Sequence, residues 1–234
     1  MSAPTRVAGW TGLLAGAVAH DINNFVQGVS SARALAGAPG ASMADAAETA
    51  AIIEEDLEQL RRLGGRLRAL ASAGGGAVSA RLADACADAM AEIDRPPEQL
   101  RAESIPAELC VVGTAAALTT ALASLLEHAV AASPGDAPVR LAVHGPQAVG
   151  AAVTAEPVIV EISAPEAGDL GAIGKMRLDL VLASSLPELR GDARLILAGA
   201  IADAIGGAVY IASDSNAGLV LALHLVAAAP GKAA

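Results

Sequence analysis

His20, Asp21 and Asn24 stand out for their chemistry in a chain of 234 residues. Leu14, Val18, Ile22, Phe25, Val29 and Ala32 recur every three or four residues. At about 100° per residue they share a helix face roughly 80° wide. With Leu14 at the origin, His20 falls at about 240°, and Asn24, Gln27 and Ser31 lie between about 220° and 280°. The histidine therefore belongs to an outward stripe of small polar groups, and Asp21 sits at its edge. An exposed imidazole beside a carboxylate is a candidate nucleophile. The acid can hold one ring N–H and leave the other nitrogen free to attack. A lone helical histidine is more often a solvated side chain, so context has to decide.

The elements that must position this group are legible from periodicity. Residues 7–35 read as one helix, broken by Gly37-Ala38-Pro39-Gly40. Ile53, Leu57, Leu60, Gly64, Leu67 and Ala71 keep a rhythm close to a heptad over 45–72, which predicts a second helix. Its acids come early (Glu54, Glu55, Asp56, Glu58) and its arginines late (Arg61, Arg62, Arg66, Arg68), as the helix dipole favours. Two such helices form an antiparallel hairpin that cannot bury its own seam. Pairing two hairpins into a dimeric four-helix bundle is the simplest solution. Gly74-Gly75-Gly76 marks a boundary, which divides the chain into residues 1–75 and 76–234.

Beyond it, helices are expected over 79–93, 114–132 and 195–205. Strands are expected over 109–112, 139–144, 158–163, 208–212 and 219–226. Ser133-Pro134-Gly135-Asp136 reads as a turn, Gly206-Gly207 as a helix end and 230–234 as a frayed tail. The fold class is α+β: the helical hairpin followed by a two-layer sandwich. Leu13 and Ala17 lie at about 260° and 300°, near the His20 face, and suggest an apolar patch for a partner helix.

Composition excludes several functions. Trp10, Phe25 and Tyr210 are the only aromatics, too few to stack single-stranded bases. A formal charge of −10 argues against binding a nucleic-acid backbone. Cys86 and Cys110 fit neither a disulfide framework nor a zinc spacing, and reduced cysteines suit the cytoplasm. His144 and His224 fall on strands and read as structural or surface residues. The uncharged run 109–126 contains Gly113, Thr114, Thr119, Thr120 and Ser124, so it reads as strand, turn and amphipathic helix and not as a membrane span. With no secretory signal visible, a soluble cytoplasmic protein is expected.

The stretch Leu14-Ala15-Gly16-Ala17-Val18-Ala19-His20-Asp21-Ile22-Asn23-Asn24 resembles the H-box of bacterial sensor histidine kinases. Residues 108–132 resemble the surroundings of the kinase N-box, 157–168 the D-box and 192–210 the G-box with its helix. The resemblance implies a dimerising, phosphoacceptor hairpin followed by an ATPase-like domain. It implies His20 as the phosphoacceptor, Asp21 as its orienting acid, and Asn24 as a group that polarises the phosphoryl group or supports phosphatase activity.

Departures from the family pattern concern the nucleotide. Ser124 and His128 stand at the two N-box asparagine positions. Ser163-Ala164-Pro165-Glu166-Ala167-Gly168 has alanine where the D-box aspartate accepts the adenine amino group. Arg190-Gly191-Asp192-Ala193-Arg194-Leu195 keeps one glycine of the phosphate loop. ATP binding is therefore not expected. The combination resembles histidine phosphotransferases of the ChpT and Spo0B types, which keep a degenerate kinase architecture. What that implies is a homodimer relaying a phosphoryl group between response-regulator receiver domains, with no cofactor of its own and Mg²⁺ supplied by the receiver. A sensor kinase core with a divergent ATP site and a non-catalytic dimeric adaptor remain open alternatives.

Overall fold

The computed structural model describes residues 7–38, 42–74, 78–93, 95–135, 137–145, 157–165, 167, 173–183, 192–214 and 218–228. The expectations for Pro39-Gly40, Gly75-Gly76, Asp136, Glu166, Gly168, Arg190-Gly191 and the tail 230–234 lie outside these residues.

Helix α1 (Val7–Ala36) and helix α2 (Met43–Ala73) form the hairpin. Ser42 starts α2 with a capping box: its hydroxyl accepts from the Asp45 amide, and its own amide donates to the Asp45 carboxylate. Strand β1 (Ser79–Arg81) and helix α3 (Leu82–Ala91) follow, then a single 3₁₀ turn (Pro97–Gln99), β2 (Leu100–Ala102) and β3 (Cys110–Val112). Helix α4 (Ala115–Ala132) begins at Thr114, whose hydroxyl accepts from the Ala117 amide. The chain continues through β4 (Val139–His144), β5 (Val158–Ala164), β6 (Ile173–Arg177), α5 (Leu178–Ala183), α6 (Ala193–Ala204), β7 (Ala208–Asp214) and β8 (Gly218–Leu225).

The large sheet has the order β2-β4-β5-β8-β7-β6, parallel only between β2 and β4. Its register lines up Leu141, Ile162, Leu221 and Ile211 in one row across four strands, all of them buried. Leu118, Leu122, Leu125 and Leu126 of α4 and Leu195, Ile196 and Ile201 of α6 belong to the same core. Side chains alternate across the pleat, so β5 buries every second residue. Fully burying each such leucine or isoleucine stabilises by about 1.5–3 kcal/mol. The α+β class and the N-terminal hairpin are those read from the sequence.

Two expectations need correction. The segment 79–93 is not helical from its start: Ser79–Arg81 pairs with Cys110–Val112 in a separate two-stranded sheet. Cross-strand bonding to a distant segment overrides local helix propensity there. The patch proposed at Leu13 and Ala17 is not free. Ala17 is buried, and Trp10, Leu13 and Leu14 pack against the core. Helix α1 lies between α2 and α6, so it carries two apolar faces where periodicity assigned one. The six-residue face of the sequence reading is correspondingly uneven: Ala32 is buried, whereas Ile22 is exposed. Trp10 fits because Gly199 of α6 has no side chain; a Cβ there would overlap the indole ring.

Short-range patterning missed β2, β6 and α5, which have three, five and six residues. Elements that short hold too few repeats to show a period. Helix α4 is the one among the described residues long and apolar enough to cross a membrane. It lies instead in the core of the sandwich.

Candidate phosphoacceptor site

The His20 side chain is 66% exposed on α1, on the polar stripe where helical spacing puts it. Its Nδ1 has two neighbours: Asn24 Nδ2 at 3.2 Å and Asp21 Oδ1 at 3.5 Å. They favour opposite tautomers. The asparagine nitrogen can only donate, so it suits a bare Nδ1 with the ring proton on Nε2. The carboxylate can only accept, so it suits Nδ1–H and leaves the Nε2 lone pair open. Among the described residues Nε2 has no partner. The structure thus brings His20, Asp21 and Asn24 into one cluster on one turn of helix.

A second polar centre joins α4 to α6. Asp192 is the N-cap of α6, and its Oδ1 accepts from the Arg194 amide at 2.9 Å. The same carboxylate takes His128 Nδ1 at 2.7 Å, and Arg194 grips it with Nε at 3.0 Å and Nη2 at 2.8 Å. Burial alone would raise the Asp192 pKa. Hydrogen bonds from His128 and Arg194, together with their charges, outweigh it and hold the carboxyl far below its ordinary range. His128 Nε2 and Ser124 Oγ, one turn apart on α4, are buried without a partner among the described residues.

The two centres meet across a cleft of about 630 Å³, where α1 and α2 face α4 and α6. Asp21, Arg62, Arg66, Glu127, Asp192 and Arg194 line it. Arg66 of α2 is ion-paired with Glu127 of α4, and Arg194 Nη1 reaches the Glu127 carbonyl at 3.4 Å. Charged side chains therefore line the space between Asp21, the neighbour of His20, and the N-terminus of α6.

Asp192, Arg194, Glu127 and Arg66 were not singled out from sequence. A local sign existed for Asp192 alone, an N-cap residue type just ahead of an apolar periodic run. Its pairing with His128, 64 residues away, leaves no local trace. The remaining histidines play other parts. His144 is exposed near Glu161. His224 lies against Tyr210 with ring centroids 4.3 Å apart; burial first, and the Lys175 charge second, lower its pKa. Cys86 and Cys110 are free thiols, and burial pushes Cys86 up to about 12. No group of three or more His, Cys, Asp or Glu suited to a metal ion occurs among the described residues.

No protein-family model matches the chain, and no curated protein matches it. Solved structures do. The Acinetobacter baumannii histidine kinase AdeS aligns with a TM-score of 0.52 at 12% identity, over 88% of this chain and 97% of that one. The structure of full-length ShkA in complex with AMPPNP aligns with a TM-score of 0.52 at 17% identity, over 93% of this chain and 47% of that one. The fold is that of a histidine kinase core. The chain spans about half the length of ShkA. Within this kinase-like fold, Ser124 and His128 lie on α4, Ala164 ends β5, and Asp192 opens α6.

Proposed function

We propose that the protein is a histidine phosphotransferase of a bacterial two-component phosphorelay, cytoplasmic and homodimeric, with residues 1–75 as the dimerising, phosphoacceptor part and 76–234 as a degenerate ATPase-like part. The observation that carries this is the exposed His20 ring with its Nδ1 turned to Asp21 and Asn24. The lone pair of Nε2 attacks the phosphorus of a receiver's aspartyl phosphate. An N–P bond forms while the P–O bond to the receiver aspartate breaks, and the aspartate leaves as carboxylate with that electron pair. The ring keeps its proton on Nδ1 and becomes a cation, which Asp21 stabilises. Attack by a second receiver's carboxylate reverses the step. Asn24 polarises the phosphoryl group or supports phosphatase activity. Mg²⁺ comes with the receiver.

The second centre supports a chain that takes its phosphoryl group from a receiver and not from ATP. A helix N-terminus attracts an anion by about 0.3–2 kcal/mol. At the start of α6 that place holds the Asp192 carboxylate. A nucleotide phosphate would find that helix N-terminus already capped by a carboxylate that Arg194 and His128 hold in place. The N-box positions reinforce this, since Ser124 and His128 are buried and the Nδ1 of His128 is engaged.

The test has two arms. Labelled ATP with Mg²⁺ alone leaves the protein unlabelled. A phosphorylated receiver domain labels the wild type and not His20→Ala. Autophosphorylation on histidine would instead make this a working kinase core, and no label from either donor would make it a non-catalytic adaptor.

A further inference from the structure

Asp21 and Asn24 compete for one nitrogen, and the shorter contact is that of Asn24, which favours the tautomer whose Nε2 cannot attack. Something has to hold Asp21 if the other tautomer is to prevail. Its side chain is 41% exposed, and on its own helix its polar contact is the 3.5 Å approach to His20 Nδ1. Across the cleft stands Arg194, which lines the same space. Three of the five guanidinium N–H groups are engaged, two by Asp192 and one by the Glu127 carbonyl. The other two have no partner among the described residues. Those three bonds and the start of α6 make Arg194 a fixed point. Burial works against its charge, while Asp192 most of all, then Glu127 and Asp21, stabilise it.

We infer that Arg194 is a positioning residue for the phosphoacceptor: from the ATPase-like part its charge draws Asp21 from across the cleft, and Asp21 in turn keeps the proton of His20 on Nδ1 and Nε2 free to attack. The arrangement follows the general logic in which a reacting group is set by a base or acid that is itself oriented by a third group. It gives the ATPase-like part a role at His20 that needs no nucleotide. The purpose assigned to the tautomer rests on the phosphotransfer reading, but the tautomer itself is measurable without any transfer.

The experiment uses the full-length, unphosphorylated protein labelled with nitrogen-15 in its histidines. The imidazole nitrogen resonances are read at about pH 8, where an ordinary imidazole is neutral. His20→Gln assigns the His20 signals. Asp21→Asn lowers the ratio of Nδ1–H to Nε2–H tautomer by about two- to five-fold, the range an exposed charged pair spans. Arg194→Gln lowers it similarly, Arg194→Lys restores part of it, and Arg194→Gln adds nothing in the Asp21→Asn background. An unchanged ratio in Asp21→Asn overturns the inference even if Arg194→Gln fails to fold. So does a full further drop from Arg194→Gln when Asp21 is already replaced. Transfer from a phosphorylated receiver is measured in parallel. If His20→Ala still accepts label, the phosphotransfer reading fails while the tautomer ratios still decide the role of Arg194.

Discussion

At Asp192, burial and bonding pull in opposite directions, and bonding prevails. The sign of the consequence follows from linkage. The folded-state pKa lies below the ordinary 3.8 of an unfolded chain, so the unfolded chain takes up the proton first as the pH falls. The stabilisation is complete above that ordinary value and drains away in more acidic solution. At neutral pH, Asp192→Ala leaves His128 and Arg194 without their carboxylate and costs about 3 kcal/mol. Urea denaturation of wild type and Asp192→Asn at pH 7 and pH 3 separates the two effects. The gap between the midpoints narrows at the lower pH; a gap that stays constant would show that Asp192 is not held ionised by its partners. On the scale of single residues, then, buried Asp192 links two helices, whereas His20 stands exposed with Asp21 and Asn24 of its own helix beside the ring.

Helix α1 is held by shape as much as by apolarity. Trp10, the only tryptophan in the chain, occupies the space that Gly199 leaves on α6. Gly199→Val places two methyl groups where the indole lies. Overpacking of this kind costs about 1–3 kcal/mol. The ring is displaced toward water, so the tryptophan emission shifts to the red and the thermal midpoint falls. An unshifted spectrum would mean that α1 is not seated on α6 in solution. The same contact brings the His20 turn of α1 beside the first turn of α6, which is how Asp21 and Arg194 come to share a cleft.

For the molecule as a whole, the hairpin leaves apolar surface that a single chain does not cover. Ile22, Val26 and Leu57 are 45%, 51% and 41% exposed. A second copy would bury them in the proposed four-helix bundle. Sedimentation of the full-length chain at micromolar concentration is expected to give a dimer, and the double variant Ile22→Glu with Leu57→Glu a monomer. A monomeric wild type would remove the bundle from the proposal while leaving the chemistry of His20 in place.

The long helices α1, α2 and α4 and the strands β4, β5, β7 and β8 were legible because each repeats its period several times, and amphipathic periodicity is a local property of the chain. The exposure of His20 followed from the same geometry, and Asp21 and Asn24 came with it because they are neighbours on one helix. Leu13 and Ala17 were misread because a helical wheel shows how many apolar residues there are and not how many partners a helix has. The pairing of His128 with Asp192, the fit of Trp10 on Gly199 and the cleft that Asp21 shares with Arg194 were settled only in three dimensions. Each joins residues far apart in sequence, and nothing local to either member encodes which distant group the folded chain sets against it.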